Sequence, residues 1–227
     1  MIKTLIDIIT SPKEAFVSIK EKPSILFPLV LIMLTTASLQ WGYFSAVDPD
    51  FLIDDLVAQS VANSNAPEDQ IRANLESVGT NTIMISSVVG VLIIVPIIMA
   101  LYAGYLSLIS KFTYDEITYK QWFSLTCWTG IPTVFVALSG WMVILMNSDG
   151  LISAMDIQPL SLNNLLLGSE GPFANMLNSL NLMQIWSLAL SALGYQHWTG
   201  KGLGKSLTVI LGPYIVIYGI WAIFILT

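Results

Sequence analysis

Charged and catalytic side chains are scarce in this sequence. Of its 227 residues only 11% are charged, whereas about 25% are charged in an average soluble domain. It has one histidine and one cysteine. A catalytic centre needs a nucleophile with a base, a pair of acids or a set of metal ligands. We therefore predict that the protein is not an enzyme and that it holds no metal and no cofactor.

The two rare side chains point the same way. Cys127 lies inside an apolar run, so no disulfide within the chain is available and a small buried apolar residue is expected there. His197 stands beside Trp198 at a predicted helix end, where a cap at the membrane interface is a more ordinary role than a catalytic base.

Long uncharged stretches are what the sequence does have, and 55% of its residues are hydrophobic. Residues 77–110 carry no charge at all. About 20 apolar helical residues cross the hydrocarbon core of a bilayer, so this stretch is long enough to span it with some tilt. A soluble helix of this length would need a polar face. The stretch therefore predicts a transmembrane helix.

The same criterion applied along the chain predicts an all-α, polytopic membrane protein, a single membrane domain over residues 1–227 built as a five-helix transmembrane bundle. Short amphipathic interfacial helices accompany the spans. The spans are predicted at residues 25–44, 82–110, 122–146, 176–195 and 207–226, with residues 45–81 and 147–175 as extracytoplasmic loops.

Residues 1–23 form a cytoplasmic tail with two predicted amphipathic helices. Ser11, Pro12 and Glu14 offer an N-cap, a first-turn proline and a capping glutamate for the second helix. These helices either lie on the membrane surface or pack against the bundle, and both alternatives are open. The candidate contacts with lipid headgroups are Lys3, Lys13, Lys20, Lys22, Lys201 and Lys205.

Orientation follows from the basic residues, which favour the cytoplasmic side. The tail and the two loops on its side hold all eight lysines, whereas the opposite side holds Arg72 alone. With five spans, the N-terminus is predicted in the cytoplasm and the C-terminus outside. The first outer loop is acidic, with Asp48, Asp50, Asp54 and Asp55. A solvated face is favoured there over a cation site, although oxygen ligands are present.

Polar side chains inside the predicted spans are few, and none is charged, which disfavours coupling to protons or sodium. Asn178, Asn181 and Gln184 recur at every third position of the predicted fourth span. They are expected to share a face, either as hydrogen-bonding contacts between helices or as a groove for a lipid headgroup. Four of the five spans also contain a proline, which frees a backbone carbonyl that neighbouring helices must satisfy.

Several segments resemble the Yip family, five-span proteins named for interaction with Ypt and Rab GTPases. The resemblance is carried by the segments SPKEAF (11–16), GIP (130–132) and NLMQIWSLALSALGYQHWTGKGLGKSL (181–207). It implies a five-helix bundle with a cytoplasmic N-terminus. The chain lacks the Asp-Leu-Tyr-Gly-Pro motif and the long tail of eukaryotic relatives, so it resembles a prokaryotic member in a bacterial cytoplasmic (inner) membrane, without implying a GTPase partner.

Two functions remain as hypotheses. The first is an integral membrane protein that organises the membrane or partner proteins, and the second is a translocator of lipids or small solutes. The expected partners are the lipid bilayer and another membrane protein or a second copy of the chain. No nucleic-acid partner is expected.

Overall fold

The computed structural model describes residues 1–63, 66–168 and 171–226. Among them the secondary structure is helical, apart from one isolated bridge between Ser161 and Asn181. Glu170, in the second predicted extracytoplasmic loop, and the C-terminal Thr227 lie outside the described residues. The α-helices are α1 (Ile2–Thr10), α2 (Pro12–Glu21), α3 (Leu26–Ala46), α4 (Pro49–Asn63), α5 (Glu68–Val78), α6 (Thr80–Phe112), α7 (Tyr119–Thr129), α8 (Thr133–Met146), α9 (Ala174–Ser179), α10 (Leu182–Thr199) and α11 (Leu203–Leu226), with a π-helical turn at Asn163–Leu167.

Four helical segments are long and apolar enough to cross a membrane: α3, α6, the α7–α8 pair (Tyr119–Met146) and α11, with mean hydropathies of 1.3, 2.8, 1.8 and 2.3. Their bounds match four of the predicted spans closely. The structure thus confirms an all-helical protein with several candidate membrane spans. The remaining predicted span, the fourth along the chain, corresponds to α10, whose polar residues Gln184, Gln196 and His197 dilute its apolar character.

The predicted start of the fourth span at residue 176 is wrong. Helix α9 ends at Ser179, and Asn181 is the N-cap of α10, which begins at Leu182. The cause is a non-local contact, because Leu162 and Leu182 donate their backbone N–H groups to the carbonyls of Leu180 and Leu160. This pairing holds residues 180 and 181 in extended conformation and interrupts the helix.

The third predicted span is also interrupted, between Thr129 and Thr133. Pro132 has no N–H to donate and its ring crowds the preceding helical turn, which weakens the helix at this point. Pro96 and Pro213 lie inside helices that stay continuous, so proline alone does not force the break. The chain resumes as α8 in the same direction, and the Thr118 and Gln121 side chains close a capping box at the start of α7.

The N-terminal helices pack against the bundle. Phe16 and Ile19 of α2 are buried, and the Trp198 indole donates to the Phe16 carbonyl at 2.9 Å. Lys20 Nζ donates in turn to the Trp198 carbonyl at 3.2 Å. For α2 the structure therefore selects bundle packing, whereas α1 buries Ile8 and leaves other apolar side chains exposed.

The core divides into two clusters at opposite ends of the bundle. The lysine end, where α2 meets the turn at residues 113–118 and the turn at residues 200–202, is packed around Trp122, which stacks on Tyr195 at 5.4 Å. At the acidic end, Leu52 of α4 packs with Tyr43 and Ile152.

Carboxylates at the acidic end serve local structure. Asp48 accepts from the N–H groups of Asp50 and Phe51 at 3.0 Å, and Asp55 accepts from the hydroxyl of Ser153. Arg72 and Asp54 form an ion pair at 2.6 Å between α5 and α4. Within the described ranges, no three His, Cys, Asp or Glu side chains converge as metal ligands would.

Candidate functional site

Three prolines lie within about two residues of the middle of their membrane segments: Pro96 in α6, Pro132 between α7 and α8, and Pro213 in α11. A cavity of about 200 Å³ lies at the same level, between these segments and α10. Interrupted helices at membrane depth are tolerated where the backbone is buried in protein or lines a cavity. This midplane cavity is the candidate functional site.

Pro213 and the tyrosines of α6 explain how α11 is held. The proline removes the N–H that would bond the carbonyl of Val209 four residues earlier. Tyr105 donates its hydroxyl to that carbonyl at 2.9 Å, and Tyr102 donates to the adjacent Ile210 carbonyl at 2.9 Å. The expectation that a neighbouring helix satisfies a carbonyl freed by proline is met here in atomic detail.

Hydroxyl and amide groups form the polar wall of the cavity. They belong to Thr126, Thr129, Thr133, Asn181, Gln184, Ser187, Ser191, Tyr102 and Tyr214. Several are already bonded within the bundle: Ser191 donates to Thr129 Oγ1 at 2.8 Å, and Thr133 donates to the Gly130 carbonyl at 2.7 Å. The Gln184 amide and the Tyr214 hydroxyl line the same cavity.

Ser187 differs from these groups. Its hydroxyl oxygen is buried and has no hydrogen-bond partner among the described residues. An unsatisfied buried hydroxyl is costly, about 1–3 kcal/mol. The oxygen has almost no accessible surface in this conformation, so a ligand in the cavity would supply the missing partner only after the Ser187 side chain rotates.

The predicted polar face of Asn178, Asn181 and Gln184 is only partly assembled. Asn181 and Gln184 line the cavity, and the Asn181 Oδ1 atom accepts from the Gln184 N–H at 2.8 Å as the cap of α10. Asn178 lies on α9 instead, where its Oδ1 accepts from Ser161 at 3.1 Å. A single helical face through all three is wrong because the helix is interrupted between them; their functional role stays a prediction.

The three threonines of the cavity wall were not predicted from the sequence as functional residues. Thr126, Thr129 and Thr133 flank the Gly130–Pro132 break on α7 and α8 and contribute three of the lining hydroxyls. The pattern that could have indicated them is a cluster of hydroxyl-bearing residues around a proline in an otherwise apolar span.

No charged side chain is among the described residues that line the cavity. The site therefore lacks a base, an acid or a counter-ion for a phosphate or ammonium group. What it offers is hydrogen bonding to an uncharged polar group in a medium without competing water.

The predicted headgroup-binding lysines fall into two groups. Lys3, Lys13, Lys22 and Lys205 are exposed, as a role at the membrane surface requires. Lys20 is bonded to Trp198, and Lys201 forms an ion pair with Asp115 while lying 5.6 Å from the centre of the Tyr195 ring. These two lysines are therefore engaged inside the protein rather than free for lipid.

Asp115 is bonded by Lys201 and by the Thr113 hydroxyl at the lysine end. Burial opposes the charged carboxylate, but these two hydrogen bonds and the nearby positive charges outweigh it and hold the pKa of Asp115 below its ordinary value. The ion pair ties the turn between α6 and α7 to the turn between α10 and α11.

The rare side chains lie apart from the cavity. Cys127 is fully buried in α7, and His197 is exposed at the lysine end with its ring 6.1 Å from that of Phe16.

Comparison with known proteins adds a family. The Yip1 domain profile matches residues 6–225. The chain is 29% identical over 228 residues to "Membrane protein YknW" of Bacillus subtilis (strain 168), covering 97% of this chain and 87% of that protein. No solved structure matches. The Yip resemblance noted in the sequence is thus confirmed, and the chain belongs to the Yip1 domain family of membrane proteins.

Proposed function

We propose that this protein is a non-enzymatic integral membrane protein that organises partner proteins at a bacterial cytoplasmic membrane. In this proposal it has five crossings, with the N-terminus in the cytoplasm and the C-terminus outside. The partner is another membrane protein or a second copy of the chain, bound through the N-terminal helices.

The packing of α10 supports the fifth crossing. With 18 residues at 1.5 Å each, α10 is about 27 Å long, close to the thickness of the hydrocarbon core. It runs antiparallel to the α7–α8 segment, with Trp122 against Tyr195 at one level and Phe135 stacked on Trp186 at 6.2 Å further along. The alignment runs from Tyr195 to Trp186, and in this proposal the N-terminal turn of α10 and the preceding α9 complete the crossing.

The lysine end supports a cytoplasmic N-terminus. The hydrogen bonds of Lys20 with Trp198 and of Lys201 with Asp115 bring the tail and both lysine-bearing turns together. These are the three segments whose basic residues favour one side of the membrane.

The observation that carries the organising role is the exposed face of α1. Ile2 and Ile6 are 72% and 56% exposed on a helix whose opposite side buries Ile8. Lys3 and Lys13 are exposed nearby. Because α2 is fixed to α7 and α10 by hydrogen bonds, α1 is presented on a rigid base, which suits specific docking at the membrane surface.

A photo-crosslinking amino acid at Ile6, used in native membranes, tests this role. We expect a discrete protein adduct, with a doubled chain mass if the partner is a second copy. The matched control is Ile217 on the exposed side of α11, which is 62% exposed and should give lipid adducts. Lipid adducts alone at both positions would contradict the organising role.

The midplane cavity favours a second candidate, a translocator of lipids or small uncharged solutes. Substrate sites of many transporters lie near the bilayer midplane, beside interrupted helices. Reconstituted vesicles should then move a reporter lipid across the bilayer, and Asn181→Leu with Gln184→Leu should abolish that movement. Asn178→Leu, outside the cavity, is the control; movement unaffected by the double change removes this candidate.

A further inference from the structure

The midplane cavity opens towards the bilayer. Ile98 lines it and is also 58% exposed on the outer surface of α6. On one side of this opening α6 and α11 are joined by the hydroxyls of Tyr102 and Tyr105. A molecule dissolved in the lipid can therefore reach the polar wall laterally, without passing through water.

The chemistry of the wall restricts what can bind. Its described lining residues carry no charge, so a phosphate or ammonium group would lose its hydration without gaining a counter-ion, which is prohibitive at this depth. The hydroxyls of Thr126, Thr129 and Thr133 each donate a hydrogen bond to a backbone carbonyl. A ligand can therefore bond to these threonines only by donating to their oxygens. Ser187 can both donate and accept.

An uncharged headgroup bearing a hydroxyl matches these requirements, because it donates to the threonine oxygens and pairs with Ser187 once that side chain rotates towards the cavity. The volume of about 200 Å³ is small compared with the roughly 300–1,000 Å³ of sites that enclose a whole drug-sized ligand. It accommodates a headgroup of glycerol size while the hydrocarbon tails remain in the bilayer beside Ile98.

We infer that the midplane cavity binds a neutral, hydroxyl-bearing lipid of the diacylglycerol class, with the headgroup against Ser187, Thr133 and Gln184. The inference goes beyond the organising role, since it involves none of the N-terminal surface, and either can fail without the other.

The test uses the full chain in phosphatidylcholine nanodiscs with a photoreactive diacylglycerol. We expect saturable labelling that maps to the segments around Ile98 and Thr133 and is displaced by unlabelled diacylglycerol but not by phosphatidylglycerol. Equal displacement by phosphatidylglycerol would overturn the requirement for a neutral headgroup. Displacement by free glycerol would assign the cavity to a soluble polyol and overturn the lipid assignment.

Two variants locate the site. Ser187→Ala removes one hydrogen-bonding group, and the probe's apparent affinity should fall about threefold to tenfold. Ser187→Leu fills the cavity and should abolish saturable labelling, whereas Ser86→Leu, the same change at an exposed position of α6, should not. Ser187→Ala removes a hydroxyl that has no partner in the fold, so stability should be retained. Unchanged labelling in a folded Ser187→Ala protein would overturn the inference.

Discussion

Tyr105→Phe isolates the contact that compensates for Pro213. The substitution removes only the hydroxyl that donates to the Val209 carbonyl at 2.9 Å. That carbonyl has no helical donor of its own, because residue 213 is a proline. Tyr102→Phe is the matched control, since it removes the same atom from the neighbouring Ile210 carbonyl, whose helical donor Tyr214 has an N–H.

The expected magnitude follows from two ranges. Hydrogen bonds between membrane helices contribute about 0.6 kcal/mol on average and up to about 1.7, and an unsatisfied buried carbonyl costs about 1–3 kcal/mol. Since Val209 has no alternative donor, we expect Tyr105→Phe to lower the free energy of unfolding by about 1.5 kcal/mol. In a Pro213→Ala background the restored N–H reaches Val209, and the cost should fall to about 0.5 kcal/mol.

The assay is a double-mutant cycle in mixed micelles, with unfolding by SDS followed through helical circular dichroism. A coupling of about 1 kcal/mol is expected between Tyr105 and Pro213 and a smaller one between Tyr102 and Pro213. If Tyr105→Phe costs the same with and without Pro213, the idea that the tyrosine replaces the lost helical bond is refuted.

Three further predictions address packing, the ion pair and topology. Gly140→Ala should destabilise by about 1–3 kcal/mol, because a Cβ there would lie 2.6 Å from the Ile157 carbonyl oxygen and 2.8 Å from Leu39; Gly90→Ala, with no atom within 4 Å, should be neutral or stabilising in the same SDS titration. Since the fold holds the pKa of Asp115 below its ordinary value, its contribution is present above about pH 4 and lost as the pH falls through the lowered pKa. Asp115→Asn should therefore destabilise at pH 7 and flatten the acid side of a thermal-stability profile, whereas the exposed Glu116→Gln should not, and identical acid profiles for wild type and Asp115→Asn would contradict this. If α10 crosses the membrane, a cysteine at Asp149 should react with an impermeant reagent in intact cells and one at Gly204 only after lysis; equal reactivity of the two would rule out the crossing.

Local composition was sufficient to predict most of the membrane helices. The charge-free stretch before Lys111 predicts α6 closely, because a helix in lipid needs only length and apolarity. Likewise Ser11 and Pro12 predict the start of α2, where the structure has it. These features depend on neighbouring residues alone.

Features that depend on distant residues were not predictable. The start of α10 is set by pairing with Leu160 and Leu162, and nothing near Asn178 indicates that partner. Lys201 was predicted to contact lipid headgroups, but in the structure it pairs with Asp115, which lies 86 positions earlier in the sequence. No local pattern indicates that partner. The cavity itself arises only when Thr133, Gln184 and Tyr214 meet from three separate segments.

The attachment of α2 to α10 has a consequence for biogenesis. Phe16 and Trp198 are separated by 182 positions, so the partner of the first helices is synthesised after most of the chain has entered the membrane. Until then, α7 covers α1 and α2 only in part, and the bilayer surface or a chaperone must shelter the rest of Ile8, Phe16 and Ile19. Closure of the lysine end is therefore a late event in assembly, and chains that stop before α10 present an apolar segment by which quality control can identify them.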